Sequence, residues 1–298
     1  MTGMRLDQLN FYLTIIIPAP HSKLFILTAI FSLIVFSFCA SVHAHPVADD
    51  VVDELNQRIK KDPKNAELYL KRGVLLRESK RWDEAVVDFE LASKLDSELK
   101  VVDLAKGQLY LEAGWPKAAE FYLRLYLSVS PQNPKALLLL ARSLRDQGLG
   151  LEAGNTYTEF LQLTKNPKPD YYLERAEALL SVDKDSDALI GLDEGLARFG
   201  PITSLQQMAL EIDLENKNYD SSLNRLNLLV KNSPRKEYWL LRRGEILEKI
   251  GRKAEAKKSY EEALKNLKSR PAHRRNLPVL VKLEKEIREA VARLERGI

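Results

Sequence analysis

The sequence predicts an all-α fold, a solenoid of helix–turn–helix units with a capping helix at each end. Three observations lead to this prediction. A small residue recurs about every 34 residues, a large apolar residue follows each one by four positions, and glycine or proline stands where turns are needed. Hydrophobic residues make up 45% and charged residues 30% of the 298 residues, which is typical of a folded protein and not of a disordered chain.

The small residue and the large apolar residue belong to the second helix of each unit. The small column holds Ala85, Ala119, Ala153, Ala188, Ser222 and Ala256. The large column holds Phe89, Leu123, Tyr157, Leu192, Leu226 and Tyr260. Because residues four apart share a helix face, we expect the small residue to let two antiparallel helices approach. We expect the large residue to fill the groove between successive pairs.

The first helix of each unit carries its own column, twelve residues before the small one. It holds Gly73, Gly107, Ala141, Ala176, Leu210 and Gly244. Gly114, Gly148 and Gly251 stand in the following turn, where a left-handed residue can end a helix. Pro131 and Pro234 stand near the end of the unit, where proline cannot continue the second helix.

The first unit has Tyr69, Gly73, Leu76, Ala85 and Phe89 at these positions, and the pattern resembles the tetratricopeptide repeat. The resemblance implies a right-handed superhelical solenoid that binds other proteins. Six repeat-like units are predicted between residues 66 and 270. Their bounds are 66–99, 100–133, 134–167, 169–202, 203–236 and 237–270. The fifth unit matches the pattern least well.

Two flanking segments complete the array. Residues 45–65 predict an N-terminal helix, with Val51, Val52, Leu55 and Ile59 on its apolar face. Residues 271–298 predict a C-terminal capping helix, because an array of stacked units must cover its last apolar edge. The apolar positions of this capping helix are Val279, Leu280, Leu283, Ile287, Val291 and Leu294.

Residues 1–44 are typical of a secretory signal peptide. Leu24 to Phe38 carry no charge, Lys23 precedes them, and Val42 and Ala44 fit the two small-residue sites of a cleavage motif. Cleavage after Ala44 predicts an exported, periplasmic protein. Residues 24–42 are also long enough to span a bilayer, so the alternative is an inner-membrane anchor that leaves the rest of the chain facing the periplasm.

The sequence lacks the residue patterns of known catalytic sites. Cys39 is the single cysteine, the four histidines are not paired, and the phosphate-loop, dinucleotide and hydrolase motifs are absent. We therefore expect a protein that is not an enzyme and that uses no catalytic residue, cofactor or metal. His45 at a new N-terminus could hold a copper or nickel ion loosely, but a histidine that merely follows a cleavage site is the simpler interpretation.

The resemblance implies that the first helix of each unit lines a concave groove. The candidate peptide-binding residues are Leu104, Gln108, Leu138, Arg142, Arg145, Glu174, Glu177 and Glu211. They change from apolar and basic in the second and third units to acidic in the fourth and fifth. This predicts a ligand held in one orientation by complementary charge. The alternative is that the leucines belong to the core and the charges to an ordinary solvated face.

These features favour a non-catalytic scaffold that binds a protein or an extended peptide in the bacterial periplasm or cell envelope. One alternative is a membrane-anchored accessory subunit of an envelope assembly or secretion machine. Another is an organellar RNA-binding helical repeat, which needs a basic concave face and an arginine- and serine-rich targeting segment. The sequence has neither, so we expect no nucleic-acid partner, and membrane contact only through an uncleaved N-terminal segment.

Overall fold

The structure is a computed structural model that describes residues 46–296. The predicted signal peptide, the alternative anchor at 24–42 and His45 lie outside the described residues. Over residues 46–296 the chain forms fifteen helices and no strand. The predicted all-α fold is therefore confirmed for this part of the chain.

The helices run in order from α1 to α15. Their bounds are α1 Pro46–Lys61, α2 Ala66–Glu78, α3 Trp82–Leu95, α4 Val101–Glu112, α5 Pro116–Leu127, α6 Pro134–Asp146, α7 Gly150–Leu163, α8 Pro169–Leu180, α9 Asp185–Phe199, α10 Thr203–Glu215, α11 Tyr219–Asn232, α12 Lys236–Lys249, α13 Lys253–Lys268, α14 Ala272–Arg275 and α15 Pro278–Glu295.

Helices α2 to α13 form six successive antiparallel pairs, within a single compact unit that spans residues 52–298. The even-numbered helices α2 to α12 are the first helices of the pairs and make up the first-helix layer. The odd-numbered helices α3 to α13 make up the second-helix layer. Each helix packs on the next one along the chain, and α2 also contacts α4, α4 contacts α6 and α8 contacts α10. This stacking is the solenoid that the period predicted.

The core of each pair is built from the two columns of the second helix. All twelve residues of these columns are fully buried. In three pairs the large residue lies against the glycine of its own first helix. A Cβ added to Gly73 would stand 2.6 Å from Phe89 Cε1, and one added to Gly244 would stand 2.2 Å from Tyr260 Cε1. In these three pairs the large residue occupies the space that the missing side chain leaves. It also reaches the next pair as expected, since Phe89 belongs to one core cluster with Val102 and Leu109 of α4.

All six first helices end in the same backbone motif. A backbone N–H just past the helix donates to a carbonyl five residues earlier, as from Arg81 to Leu76 at 2.8 Å. The motif needs one residue with positive φ. The predicted glycines Gly114, Gly148 and Gly251 supply it with φ between 77° and 82°. The other three pairs use Lys80, Asp183 and Lys217, with φ between 56° and 60°.

The two flanking helices cover the ends of the solenoid. Leu55 and Ile59 of α1 pack with Leu68, whereas Val51 is 40% exposed and does not belong to the buried face that the sequence predicted. In α15, Ile287 is fully buried against the last pair, but Val279 is 69% exposed. The first turn of α15 therefore carries apolar surface that the core does not use.

The fifth pair departs from the repeat pattern and remains a regular pair. Asp213 occupies a position that is apolar in the other five units, and it is 1% exposed. Ser221 donates to its carboxylate at 2.6 Å, and Arg225 Nε donates at 2.6 Å. Because the buried carboxylate has these two partners, the helices tolerate the substitution.

Candidate protein-binding surfaces

The two leucines among the predicted groove residues contribute to the core. Leu104 is 8% exposed and packs with Leu139 and Leu140 of α6. Leu138 is half-buried and packs against two neighbouring core clusters. Leu104 therefore offers almost no surface to a ligand, because α6 covers it.

Arg142 and Glu174 bind each other. The guanidinium donates to both carboxylate oxygens, with Nε–Oε2 at 2.8 Å and Nη2–Oε1 at 2.7 Å. The hydroxyl of the buried Tyr157 donates to Oε2 at 2.8 Å. Burial raises the pKa of Glu174, but the hydrogen bonds from Arg142 and Tyr157 outweigh burial, and the pKa lies below its usual value. The pKa of Tyr157 is raised, mainly by burial of its hydroxyl and to a smaller extent by the hydrogen bond to Glu174.

The other predicted charges are also mostly engaged. Arg145 contacts Asp146 at 3.0 Å and Glu174 at 3.5 Å, and Glu211 pairs with Arg242 at 3.0 Å. Gln108 donates to Glu112 at 2.8 Å, whereas Glu177 is exposed. The basic and acidic ends of the predicted charge gradient meet in the Arg142–Glu174 pair. The role of these charges in holding a ligand stays a prediction.

Ion pairs within one layer alternate along the solenoid. Among the described residues, those that join first helices lie between α2 and α4, α6 and α8, and α10 and α12. They are Arg77–Glu112, Arg142–Glu174 with Arg145–Glu174, and Arg242–Glu211. The ion pairs that join second helices lie at the two remaining junctions, between the second and third pairs and between the fourth and fifth pairs. They are Arg124–Glu152, between α5 and α7, and Arg225–Asp193, between α9 and α11.

A cleft of about 710 Å³ opens at the C-terminal end, between α10, α12 and the segment from α14 to α15. We call it the C-terminal cleft. Tyr238, Leu277 and Val279 line it and are exposed. Arg235 and Arg274 line it as well. Sequence reasoning missed this site, because its walls come together only when α15 packs on α13 and lies beside α12.

A second exposed apolar surface lies on the second-helix layer of the first two pairs. It has the same three repeat positions in each pair, spaced four residues apart. Its members are Val87, Leu91 and Leu95 after Ala85, and Phe121, Leu125 and Val129 after Ala119. In the last pair these positions are Lys258, Glu262 and Asn266. All three positions are apolar only in the first two of the six pairs, although Ile190 and Leu228 are exposed apolar residues at single positions of later pairs.

A comparison with family models identifies the repeat. The model described as "Tetratricopeptide repeat" matches residues 104–133, in the second pair, and 240–266, in the sixth. The chain therefore contains tetratricopeptide repeats. No curated protein sequence matches it.

Solved structures with a similar arrangement of helices include Naa15/Naa10 bound to HypK-THB, with a TM-score of 0.54 and 14% identity over 84% of this chain and 44% of that one. A tetratricopeptide repeat protein from Parabacteroides merdae has a TM-score of 0.49 and 14% identity, over 81% of this chain and 92% of that one. MamA has a TM-score of 0.47 and 19% identity, over 58% of this chain and 93% of that one. At these identities the likeness concerns the fold alone.

Residues 46–296 offer neither a membrane-spanning helix nor a metal-binding cluster. No helix in this range is long and apolar enough to cross a bilayer. No group of three or more histidine, cysteine or acidic residues in the range is arranged to hold a metal ion.

Proposed function

We propose that this tetratricopeptide repeat protein is a non-catalytic scaffold that binds an extended segment of a partner protein in the bacterial periplasm or cell envelope. The C-terminal cleft is the observation that supports the binding role. Ligand sites in proteins are concave and mostly apolar, with a few polar groups that fix orientation. The cleft has this character, with Tyr238 and Val279 exposed on its walls and arginines beside them. A solenoid of similar fold, Naa15/Naa10, is bound to HypK-THB in its solved structure.

Site-specific photo-crosslinking tests the binding role. A photoreactive residue replaces Tyr238 in the cleft, and in a matched variant it replaces the exposed Lys94 on α3. We expect one discrete protein adduct at position 238 in intact cells and none at 94. The captured segment, made as a peptide, should bind the purified protein, and Tyr238→Ala should weaken that binding. A third variant carries the photoreactive residue at Phe121, on the other apolar surface. The absence of an adduct at both position 238 and position 121 would contradict a scaffold role.

The envelope setting is supported by the uncharged stretch from Leu24 to Phe38 and by the cleavage pattern that ends at Ala44. Sequencing of the N-terminus of the protein from fractionated cells tests it. We expect a soluble periplasmic protein that begins at His45. A protein that begins before residue 24 and stays in the membrane after a salt wash would support the anchored accessory subunit instead. A cytoplasmic protein that begins at Met1 would contradict both.

An RNA-binding role has less support. RNA recognition by a helical repeat needs cationic groups that are free to meet phosphates. In the first-helix layer, Arg77, Arg142, Arg145 and Arg242 all contact carboxylates. These arginines therefore stabilise the solenoid and leave no continuous basic face in that layer.

A further inference from the structure

Resting on the proposed scaffold function, we propose that the C-terminal cleft binds an acidic peptide segment, in which an aromatic or aliphatic side chain is flanked by carboxylates. Three properties of the cleft lead to this ligand: its exposed apolar walls, its unpaired arginine side chains, and its size.

The apolar walls need a side chain to cover them. Tyr238 is 49% exposed, although its neighbour Trp239 is buried and holds the Tyr238 ring edge-to-face at 4.8 Å. Across the cleft, Leu277 and Val279 are exposed at the start of α15. An aromatic side chain of this kind combines a large apolar area with few rotatable bonds, so it can anchor a ligand at low cost in conformational entropy.

The charges in the cleft are unbalanced. Among residues 46–296, Glu237 is the only carboxylate that lines the C-terminal cleft, and it is buried. Arg270 already neutralises it, with Nη2–Oε1 at 2.6 Å, and also donates to the carbonyl of Pro234. Within the described part of the chain, the guanidinium groups of Arg235 and Arg274 make no ion pair or hydrogen bond. Two positive charges therefore remain available to a ligand.

These free arginines contrast with the arginines of the first-helix layer. Arg142 and Arg242 are each bound to a carboxylate of a neighbouring first helix. An unpaired guanidinium beside an apolar wall favours a carboxylate partner, because charge-assisted hydrogen bonds are the stronger kind and arginine can form two of them in parallel. The ligand should therefore supply carboxylates where the protein does not.

The size and the mixed character of the cleft favour a peptide over simpler ligands. A volume of about 710 Å³ far exceeds the space that one phosphate needs, and such an ion would leave Tyr238 and Val279 uncovered. A purely apolar ligand would bury Arg235 and Arg274 without partners, which is costly. A peptide with an apolar residue between acidic residues can cover the apolar walls and also pair its carboxylates with the two arginines.

Fluorescence anisotropy with short synthetic peptides tests the proposal. The probe has the core Asp-Glu-Phe-Glu-Asp. The comparison peptides have the cores Asn-Gln-Phe-Gln-Asn and Asp-Glu-Ala-Glu-Asp. We expect micromolar binding of the probe, weakened by added salt, and at least about tenfold weaker binding of both comparison peptides. Equal affinity for the probe and its amide counterpart would overturn the role of the carboxylates.

Protein variants locate the binding. We expect the double variant Arg235→Gln with Arg274→Gln to lose at least about tenfold in affinity for the probe. The matched variant Arg275→Gln removes the same type of charge next to the cleft lining and should change affinity less than about twofold. Circular dichroism should show unchanged helix content in all variants. Unchanged affinity in the double variant would overturn the site.

Competition separates the ligand classes. Inorganic phosphate or a short RNA that displaces the probe from the wild type at micromolar concentration would show an anion or nucleic-acid site instead of a peptide site. No binding of the probe together with a crosslinked adduct at position 238 would refute the acidic ligand and leave the scaffold function standing. Absence of both would refute both proposals.

Discussion

Replacing Gly244 by alanine tests whether the glycine column exists to accept the large residue of the second helix. Alanine is the better helix former, and on propensity alone the change should stabilise α12 by about 1 kcal/mol. The structure predicts the opposite sign. The new Cβ would stand 2.2 Å from Tyr260 Cε1 and 2.5 Å from Cδ1, whereas carbon atoms pack at about 3.5–4.0 Å.

The ring of Tyr260 has little room to move away. Tyr260 is fully buried, and its hydroxyl donates to Glu248 at 3.0 Å. Glu248 is held in turn by Arg293 of α15, which donates to both carboxylate oxygens. Overpacking in a filled core costs about 1–3 kcal/mol, which outweighs the propensity gain in most of that range. We expect Gly244→Ala to lower the free energy of unfolding by up to about 2 kcal/mol, which is the overpacking cost less the propensity gain.

Urea unfolding followed by circular dichroism measures the effect, and a double-mutant cycle isolates its cause. In the Tyr260→Ala background the clash is gone, so Gly244→Ala should become neutral or stabilising. A gain in stability from Gly244→Ala in the wild-type background would refute the reasoning. The better helix propensity of alanine would then outweigh the contact between its Cβ and the Tyr260 ring.

Three further predictions concern stability. Glu174→Gln should lower the free energy of unfolding by about 1–3 kcal/mol at pH 7. Because the folded pKa of Glu174 is lowered, its contribution is present above about pH 4.3 and is lost as the pH falls through the folded value. The wild type should thus lose more stability than the variant between pH 5 and pH 3, and parallel losses would contradict the assigned bonds. Lys217→Gly should stabilise by about 0.5–1 kcal/mol by relieving positive φ, and Gly251→Lys should destabilise; urea midpoints check both signs. Ala153→Leu should destabilise by about 1–3 kcal/mol and Lys94→Leu hardly at all, and equal midpoint shifts would mean that the small column is misassigned.

The repeat could be predicted from the sequence because its signals are local and periodic. Ala153 and Tyr157 are four residues apart on one helix, and every unit repeats the relation. The turn at Lys217 could not be predicted from its residue type, since lysine rarely takes positive φ. There the backbone hydrogen bonds at the helix end impose the conformation.

The candidate site was harder to predict because it depends on contacts between distant residues. Arg142 and Glu174 are 32 positions apart, and composition alone does not say that they form a pair. Val279 shares a helical spacing with the buried Ile287, and this spacing places both on the apolar face of the predicted capping helix. The first turn of α15, however, lies beyond the last pair and leaves Val279 exposed. The basic segment before α15 was visible in the sequence, but its position beside Tyr238 was not.

The alternating ion pairs divide the repeat array into three blocks and two joints. Each block is two helix pairs whose first helices are tied by arginine and glutamate. At the joints, between α4 and α6 and between α8 and α10, no ion pair of the described residues ties the first helices, and Arg124–Glu152 and Arg225–Asp193 hold the opposite edge. The first helices nevertheless contact each other directly at the two joints. Higher ionic strength weakens ion pairs and leaves packing contacts in place, so added salt should loosen the first-helix layer within the blocks before it loosens the joints.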